Sequence, residues 1–246
     1  MDSHLQVPEL AASDLPVTVI GAGPVGLAVA AHLLARGESP VIFESGASVG
    51  TNILDWGHVR LFSPWRYVID AAASDLLEES GWLEPDPDAY PTGEEIVTRY
   101  LKPLAAVPAL RSRIRLDSRV VGVARDGFDK MKTERRETAP FALTVETAHG
   151  QEPFLAKAVI DASGTTATPN PLGAAGIPAR GERALQARIF AGIPDVLGAQ
   201  RARYAGKRVL VVGSGHSAFN ALIDLVDLAA TAPGTKIGRA SCRERV

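Results

Sequence analysis

The chain has 246 residues, a hydrophobic content of 46% and a formal net charge of −2, a composition typical of a soluble globular protein. Its charges are spread along the sequence and no apolar run approaches the ~20 residues that cross a bilayer, so we expect no nucleic-acid or membrane partner and a cytoplasmic location. The single cysteine, Cys242, excludes an internal disulfide framework and a cysteine-clustered zinc site, and the scattered histidines predict no metal site.

The first predicted element is a short buried strand, "VTVI", that runs into a glycine-rich turn and a helix. Gly21, Gly23 and Gly26 fit G-x-G-x-x-G, in which the glycines permit a tight turn, approach to a pyrophosphate and close packing of helix on strand. Pro24 lies in the same turn. A second strand, "PVIFE", ends at Glu44, about 20 residues past the glycines, where a ribose hydroxyl needs an acceptor. We predict a site for FAD or NAD, because Glu44 would repel a 2′-phosphate.

The middle of the chain predicts a helix followed by antiparallel strands. Thr92 and Glu95 have the spacing of a capping box at the start of a helix. The segments "IRLDSRVVGVARDG" and "FALTVETAHG" alternate apolar and polar residues, which is typical of antiparallel strands, and "FLAKAVIDASG" predicts one further buried strand. The proline- and glycine-rich "TATPNPLGAAGIPARGE" predicts the passage out of the first nucleotide domain.

A second glycine turn begins after the strand-like residues 209–212. Gly213, Gly215 and Ala218 fit G-x-G-x-x-A, and "FNALIDLVDLAA" after them predicts a helix. Two such units predict two different bound dinucleotides, although a purely structural second turn stays open. The next strand, with its ribose-reading residue, is expected beyond the natural part of the chain.

The last ten residues, "IGRASCRERV", match the in-frame translation of a common sequencing adapter. We therefore expect them to be foreign to the natural protein. The predicted organisation is an FAD-binding domain over 1–168, a connection over 169–206, a truncated NAD(P)-binding domain over 207–236 and the foreign tail over 237–246.

This order of motifs resembles two-dinucleotide-binding flavoproteins, and within them the class B flavin monooxygenases. The similarity rests on "GAGPVGLAVA" with Glu44, "GTNILDWGHVRLFSPWRY", "YPTGEEIVTRYLKPLA", "VIDASG" and "GKRVLVVGSGHSAFNA". It implies an α/β fold: a Rossmann-like FAD-binding domain with a parallel sheet and an antiparallel β-meander, then the start of a second Rossmann-like domain that binds NADPH or NADH. The residues that it assigns to FAD are Gly21, Gly23, Pro24, Gly26, Glu44, Ser45, Ser163 and Gly164. The residues that it assigns to the nicotinamide nucleotide are Gly213, Gly215, Ser217 and Ala218.

The loop "DWGHVRLFSPWRY" supplies further candidates. Trp56 and Trp65 would wall the flavin ring and Arg60 would meet a phosphate or the reduced flavin. The alternative is that the tryptophans are core anchors and the arginines surface pairs. No catalytic side chain is predicted, because the cofactors of this family perform the difficult steps.

The resemblance implies an FAD-dependent oxidoreductase that takes electrons from NAD(P)H, in its leading form a monooxygenase acting on a small organic molecule. The monooxygenase signature F-x-G-x-x-x-H is incomplete, because Phe190 and Gly192 match but Val196 replaces the histidine. A flavin disulfide-type reductase with its cysteines elsewhere and a non-catalytic dinucleotide-binding protein remain alternatives. A homo-oligomer is also left open.

Overall fold

The computed structural model describes residues 12–173 and 176–240 and divides into two compact units. The first comprises the chain up to Thr51, Arg66–Pro85 and Val97–Gly164. The second comprises Asn52–Trp65, Asp86–Ile96 and the chain from Thr165. The last crossing between units, after Gly164, lies four residues before the domain boundary predicted from sequence.

The first unit is built on a parallel sheet with strand order β3-β2-β1-β7. Its strands are β1 Val17–Ile20, β2 Pro40–Phe43, β3 Ile114–Arg115 and β7 Ala158–Asp161. Both neighbours of β1 run parallel to it, and Ile20 aligns with Phe43 on one side and Asp161 on the other. The carboxyl ends of three adjacent strands therefore meet at one edge, the edge at which open α/β sheets bind ligands.

Helix α1, Pro24–Ala35, connects β1 to β2 as the sequence predicts. The helix begins with proline, whose fixed φ is already close to the helical value. Beyond its other end lies Gly37, with φ of +74°. Three of the four buried residues of the helix are small, namely Gly26, Ala30 and Ala31, which allows the helix to lie close to the sheet.

The predicted β-meander is confirmed as a three-stranded antiparallel sheet in the first unit. Its strands are β4 Arg119–Arg125, β5 Phe141–Thr147 and β6 Gly150–Ala156. Phe43 from the parallel sheet packs into one hydrophobic cluster with Leu143, Val145 and Ala156. Burial of that cluster holds the meander to the sheet.

The single strand predicted for "FLAKAVIDASG" is wrong, because the structure divides it between two sheets. Ala156 pairs with Phe141 in the meander, whereas Ala158 pairs with Val17 in the parallel sheet. Lys157 lies between them, with its N–H donating to the carbonyl of Pro16 at 3.0 Å. One residue thus carries the chain from an antiparallel ladder to a parallel one.

Short helical segments are spread along the rest of the described chain. Between Thr51 and Arg111 they are α2 Thr51–Leu54, α3 Ala71–Glu78, α4 Gly93–Ile96, a π-helical segment Val97–Leu101, α5 Lys102–Ala106 and α6 Pro108–Arg111. Turns of 3₁₀ type span Ala12–Asp14, Trp65–Tyr67 and Arg183–Arg188. The capping box is confirmed at α4: the Glu95 N–H donates to Thr92 Oγ1 at 3.2 Å and the Thr92 N–H donates to Glu95 Oε2 at 2.8 Å.

The second unit contains another strand–helix–strand element. Its parts are β8 Arg208–Val212, α8 His216–Thr231 and β9 Lys236–Ala240, and the short helix α7 Arg201–Tyr204 precedes them. The strands β8 and β9 pair in parallel, and Leu225 and Leu228 of α8 share a buried cluster with Val196. Residues 237–240, expected to lie in the foreign tail, therefore form part of a strand that their composition does not indicate. The foreign origin of 237–246 stays a prediction, and residues 241–246, with Cys242, lie outside the described residues.

The Thr18 hydroxyl offers a test of the sheet core. It is fully buried in β1 beside Val41 and Val159 and has no hydrogen-bond partner among the residues described. We expect Thr18→Val to raise the free energy of unfolding by about 1 kcal/mol, because a methyl group replaces a desolvated hydroxyl. Urea unfolding measures this change. Thr51→Val is the control and should destabilise, because the Thr51 hydroxyl donates to the carbonyl of Ser48 at 2.7 Å.

Tyr100 predicts a dependence of stability on alkaline pH. Burial raises the pKa of its phenol above the ordinary value of 10.0, and the nearby Asp70 carboxylate raises it further, while the hydrogen bond from the Asp70 N–H lowers it. The unfolded chain therefore releases this proton first, so its contribution to stability is complete below about pH 10 and is lost as the pH rises further.

We expect Tyr100→Phe to flatten the fall of the melting temperature above about pH 10. Part of the fall remains, because burial also raises the pKa of Tyr204. Tyr67→Phe is the control, since the Tyr67 side chain is 75% exposed. Equal alkaline slopes for the Tyr100 variant and the native chain would contradict the assignment.

Candidate functional site

The first glycine turn lies where the carboxyl ends of β1, β2 and β7 meet. Gly21 has φ of +99°, and a Cβ added there would lie 2.7 Å from the carbonyl oxygen of Ala162 and 3.1 Å from Cα of Ser163. Its N–H donates to the carbonyl of Phe43 at 2.7 Å. The structure therefore brings together three segments that the sequence assigns to one site.

The second and third glycines of this turn have different roles. A Cβ at Gly26 would overlap the carbonyl oxygen of Gly21 and come within 2.9 Å of its carbonyl carbon, so the fold itself requires glycine there. A Cβ at Gly23 would meet no atom of the described residues within 4 Å. Gly23 is the N-cap of α1, and it leaves the backbone open at a helix start, where amide groups favour a phosphate.

Glu44 links the end of β2 to the glycine turn through hydrogen bonds. Its side chain is almost fully buried, at 7% exposure, and its two oxygens accept hydrogen bonds from the Ala22 and Gly46 N–H groups, each at 2.8 Å. A carboxylate offers about four lone-pair positions, so acceptor capacity remains for a ribose hydroxyl. Ser45, which follows, is exposed.

The end of β7 supplies a third edge of this site. The Ser163 N–H donates to Asp161 Oδ1 at 3.0 Å, and hydrogen bonds from the Ser163 side chain and backbone lower the pKa of Asp161 below its ordinary value. Gly164 has φ of +74°. Ser163 therefore lies beside Gly21, and the Asp161 carboxylate is hydrogen-bonded to Ser163.

The second glycine turn repeats the backbone of the first. Gly213 has φ of +145° and Gly215, the N-cap of α8, has φ and ψ of −87° and −179°, close to the −81° and −172° of Gly23. A Cβ at Gly215 would meet nothing within 4 Å in the described ranges, and one at Gly213 would lie 3.5 Å from Cβ of Ala218. Ser217 is exposed in the first turn of α8.

Arg60 and Trp65 lie in the second unit. The Arg60 guanidinium donates to the carbonyl of Tyr90 and lies 3.9 Å from Glu95 Oε2. The Trp65 side chain is 1% exposed, and its backbone N–H donates to the carbonyl of Ala89 at 3.0 Å. These contacts agree with the core-anchor and ion-pair alternative, and flavin contacts of either residue stay predictions.

Val196, at the position of the missing signature histidine, is fully buried. It packs against Leu225 and Leu228 of α8. The side chain at this position therefore completes the hydrophobic core of the second unit.

Three residues at the first site were missed by sequence reasoning. Ala22 uses both its backbone N–H and its carbonyl in the site's hydrogen bonds, and the Gly46 and Gly50 N–H groups donate to Glu44 and to the Ala22 carbonyl. These residues could have been found from the glycines and small residues of "ESGASVG" directly after β2, because a glycine-rich stretch predicts a close approach of backbones.

Across residues 12–173 and 176–240, histidine, aspartate and glutamate form no group of three that could bind a metal ion. In the same ranges, no helix combines the length and apolar character needed to cross a membrane.

Comparison with known proteins gives one family. The family model described as pyridine nucleotide-disulphide oxidoreductase matches residues 18–233. A relative from Arabidopsis thaliana, flavin-containing monooxygenase FMO GS-OX-like 3, is 29% identical over 172 residues, covering 57% of this chain and 38% of the relative. Another, the putative flavin-containing monooxygenase FMO GS-OX-like 11 of the same plant, is 30% identical over 146 residues, covering 49% of this chain and 86% of the relative.

Among solved structures, the complex of OTEMO with FAD and NADP has a TM-score of 0.56 and 23% identity, covering 92% of this chain and 38% of that one. This likeness confirms the α/β Rossmann-like fold. The chain spans 38% of the length of OTEMO and of FMO GS-OX-like 3.

Proposed function

Because this chain belongs to the pyridine nucleotide-disulphide oxidoreductase family, we propose that it is an FAD-dependent oxidoreductase that takes reducing equivalents from NADPH or NADH. We further propose that it acts as a monooxygenase on a small organic molecule; the names of its plant relatives describe those proteins as flavin-containing monooxygenases.

The observation that carries the proposal is the repeated geometry of two glycine turns. Each has a glycine with positive φ after a parallel strand, then an extended glycine N-cap with open space beside it, at Gly23 and Gly215. The first turn also has Glu44, which favours an unphosphorylated ribose and hence the adenosine half of FAD. Two sites of this kind support one flavin and one nicotinamide nucleotide.

The residues of the first unit that would hold FAD lie at one sheet edge: Gly21, Gly23, Pro24, Gly26, Glu44, Ser45, Ser163 and Gly164. The chemistry that the flavin supplies when bound is acceptance of a hydride from the nicotinamide and reaction with oxygen. The chain's own contribution is to present the N-terminal amides of α1 to phosphate oxygens and to hold a buried carboxylate for a ribose hydroxyl. The residues that would receive the nicotinamide nucleotide are Gly213, Gly215, Ser217 and Ala218.

The test begins with flavin binding by the full 246-residue chain. After FAD addition and removal of free cofactor, an absorbance band near ~450 nm is expected. Anaerobic NADPH or NADH should then bleach this band. A chain that stays colourless would overturn the proposal.

Oxygen consumption distinguishes the candidate activities. We expect NADPH-dependent oxygen uptake that increases with a thioether, an amine or a ketone. NADPH-dependent reduction of a small disulfide without oxygen uptake would instead support the reductase alternative. Binding of both nucleotides with no turnover would support a non-catalytic protein.

We place the protein in the cytoplasm with a small-molecule substrate as its partner. The basis is the moderate net charge of −2, which gives no electrostatic reason for attachment to nucleic acid or an acidic membrane.

A further inference from the structure

The loop from Glu44 to Gly50 contacts both backbone polar groups of Ala22 in the first glycine turn. The Ala22 N–H donates to Glu44 Oε2 at 2.8 Å, and the Ala22 carbonyl accepts from the Gly50 N–H at 3.1 Å. Ala22 is fully buried. Its backbone orientation is therefore fixed by the two ends of one loop.

This loop rests on the π-helical segment Val97–Leu101. Gly50 has φ of +70°, and a Cβ added there would lie 2.9 Å from Val97 Cγ2 and 3.0 Å from Leu101 Cδ1. Both of those side chains are fully buried. The Gly50 N–H is thus hydrogen-bonded to the Ala22 carbonyl, while the side chains of the π-helical segment leave no space for a side chain at position 50.

We infer that Gly50 and Val97 are positioning residues for FAD, acting through the backbone of Ala22. This inference rests on the proposed FAD site. The Ala22 carbonyl that Gly50 contacts shares a peptide group with the N–H of Gly23, the glycine with open space beside it, so the Gly50 contact sets the direction of that amide. A π-helical turn inside a helix is often found where function constrains packing, and here the constraint is the close approach of Gly50.

The test uses the full chain and a matched pair of glycine variants. Gly50→Ala and Gly37→Ala both place alanine at a positive φ, +70° and +74°, but a Cβ at Gly37 meets nothing within 4 Å in the described part of the chain. Quenching of flavin fluorescence measures the Kd for FAD at 20 °C. We expect Gly50→Ala to weaken binding about tenfold, the effect of one lost hydrogen bond, and Gly37→Ala to leave it unchanged.

A double-mutant cycle with Val97→Ala separates positioning from general destabilisation. Val97→Ala alone removes the support beneath Gly50 and should weaken FAD about threefold, while circular dichroism still shows one cooperative melt. Because it also removes the Cγ2 atom that an alanine at 50 would strike, Gly50→Ala should cost less in the Val97→Ala background. Strictly additive effects on Kd, or equal Kd values for Gly50→Ala and Gly37→Ala, would overturn the inference.

If Gly50→Ala gives no cooperative melt, the Val97→Ala variant decides: unchanged FAD affinity in that variant overturns the inference. Hydrogen exchange of the FAD-free chain supplies an independent measurement. Gly50→Ala, or Val97→Ala in its place, should speed exchange in residues 21–27, and Gly37→Ala should not. Absence of FAD binding by the native chain would be a failure of the proposed function, whereas normal native binding with unaffected variants would be a failure of this inference alone.

Discussion

Gly23→Ala should weaken FAD binding about a hundredfold while leaving the melting temperature of the FAD-free chain within about 2 °C of the native value. The reason is that the methyl group would enter space where no described atom lies within 4 Å. The protein itself therefore loses no contact. The group that loses room is a pyrophosphate approaching the N-terminus of α1.

Gly26→Ala is the contrasting variant, three residues along the same turn. Its Cβ would overlap the carbonyl oxygen of Gly21, so the helix would have to move away from β1. We expect the free energy of unfolding to fall by about 3 kcal/mol, as it does for a severe overpacking of the core. Urea unfolding of the cofactor-free chain measures this change. Equal melting temperatures for the two variants would contradict the separate roles assigned to these glycines.

The same comparison applies to the nicotinamide nucleotide at the second turn. Gly215→Ala should lower affinity for NADPH or NADH and leave FAD affinity unchanged, because Gly215 has the open geometry of Gly23 in the other unit. Separate titrations of Gly23→Ala and Gly215→Ala with FAD and with NADPH measure these affinities.

Sequence patterns predict the fold well where a feature depends only on neighbouring residues. The turn at Gly21, the end of β2 before Glu44 and the capping box of Thr92 with Glu95 are all found as predicted. Each follows from local chemistry: a positive φ, a strand end and a reciprocal pair of hydrogen bonds. Such features need no knowledge of distant residues.

The features that sequence reasoning missed depend on distant contacts. Lys157 divides one apolar stretch between two sheets because its neighbours pair with Phe141 and Val17. Gly50 is required by Val97, which lies 47 positions later. Spacing along the chain carries no record of either contact, so a single sequence cannot supply them.

Glu44→Ala is expected to lower FAD affinity about a hundredfold and also to destabilise the FAD-free chain by about 2 kcal/mol. Both effects follow from the bonds of this carboxylate. It accepts from the Ala22 and Gly46 N–H groups at 2.8 Å and is 7% exposed, so its removal leaves two amides without their acceptor. It also removes the acceptor offered to the ribose.

A matched control exists in the other unit. Glu182 likewise accepts two backbone N–H bonds, from Leu172 at 3.0 Å and Ala179 at 2.6 Å. Glu182→Ala should therefore destabilise its own loop but leave FAD affinity at the native value. A Glu44 variant that loses stability and keeps native FAD affinity would make this carboxylate purely structural, and the ribose would then need a different acceptor at the sheet edge. Loss of affinity in the Glu44 variant alone, measured by flavin fluorescence well below both melting temperatures, assigns the carboxylate to the cofactor as well as to the loop.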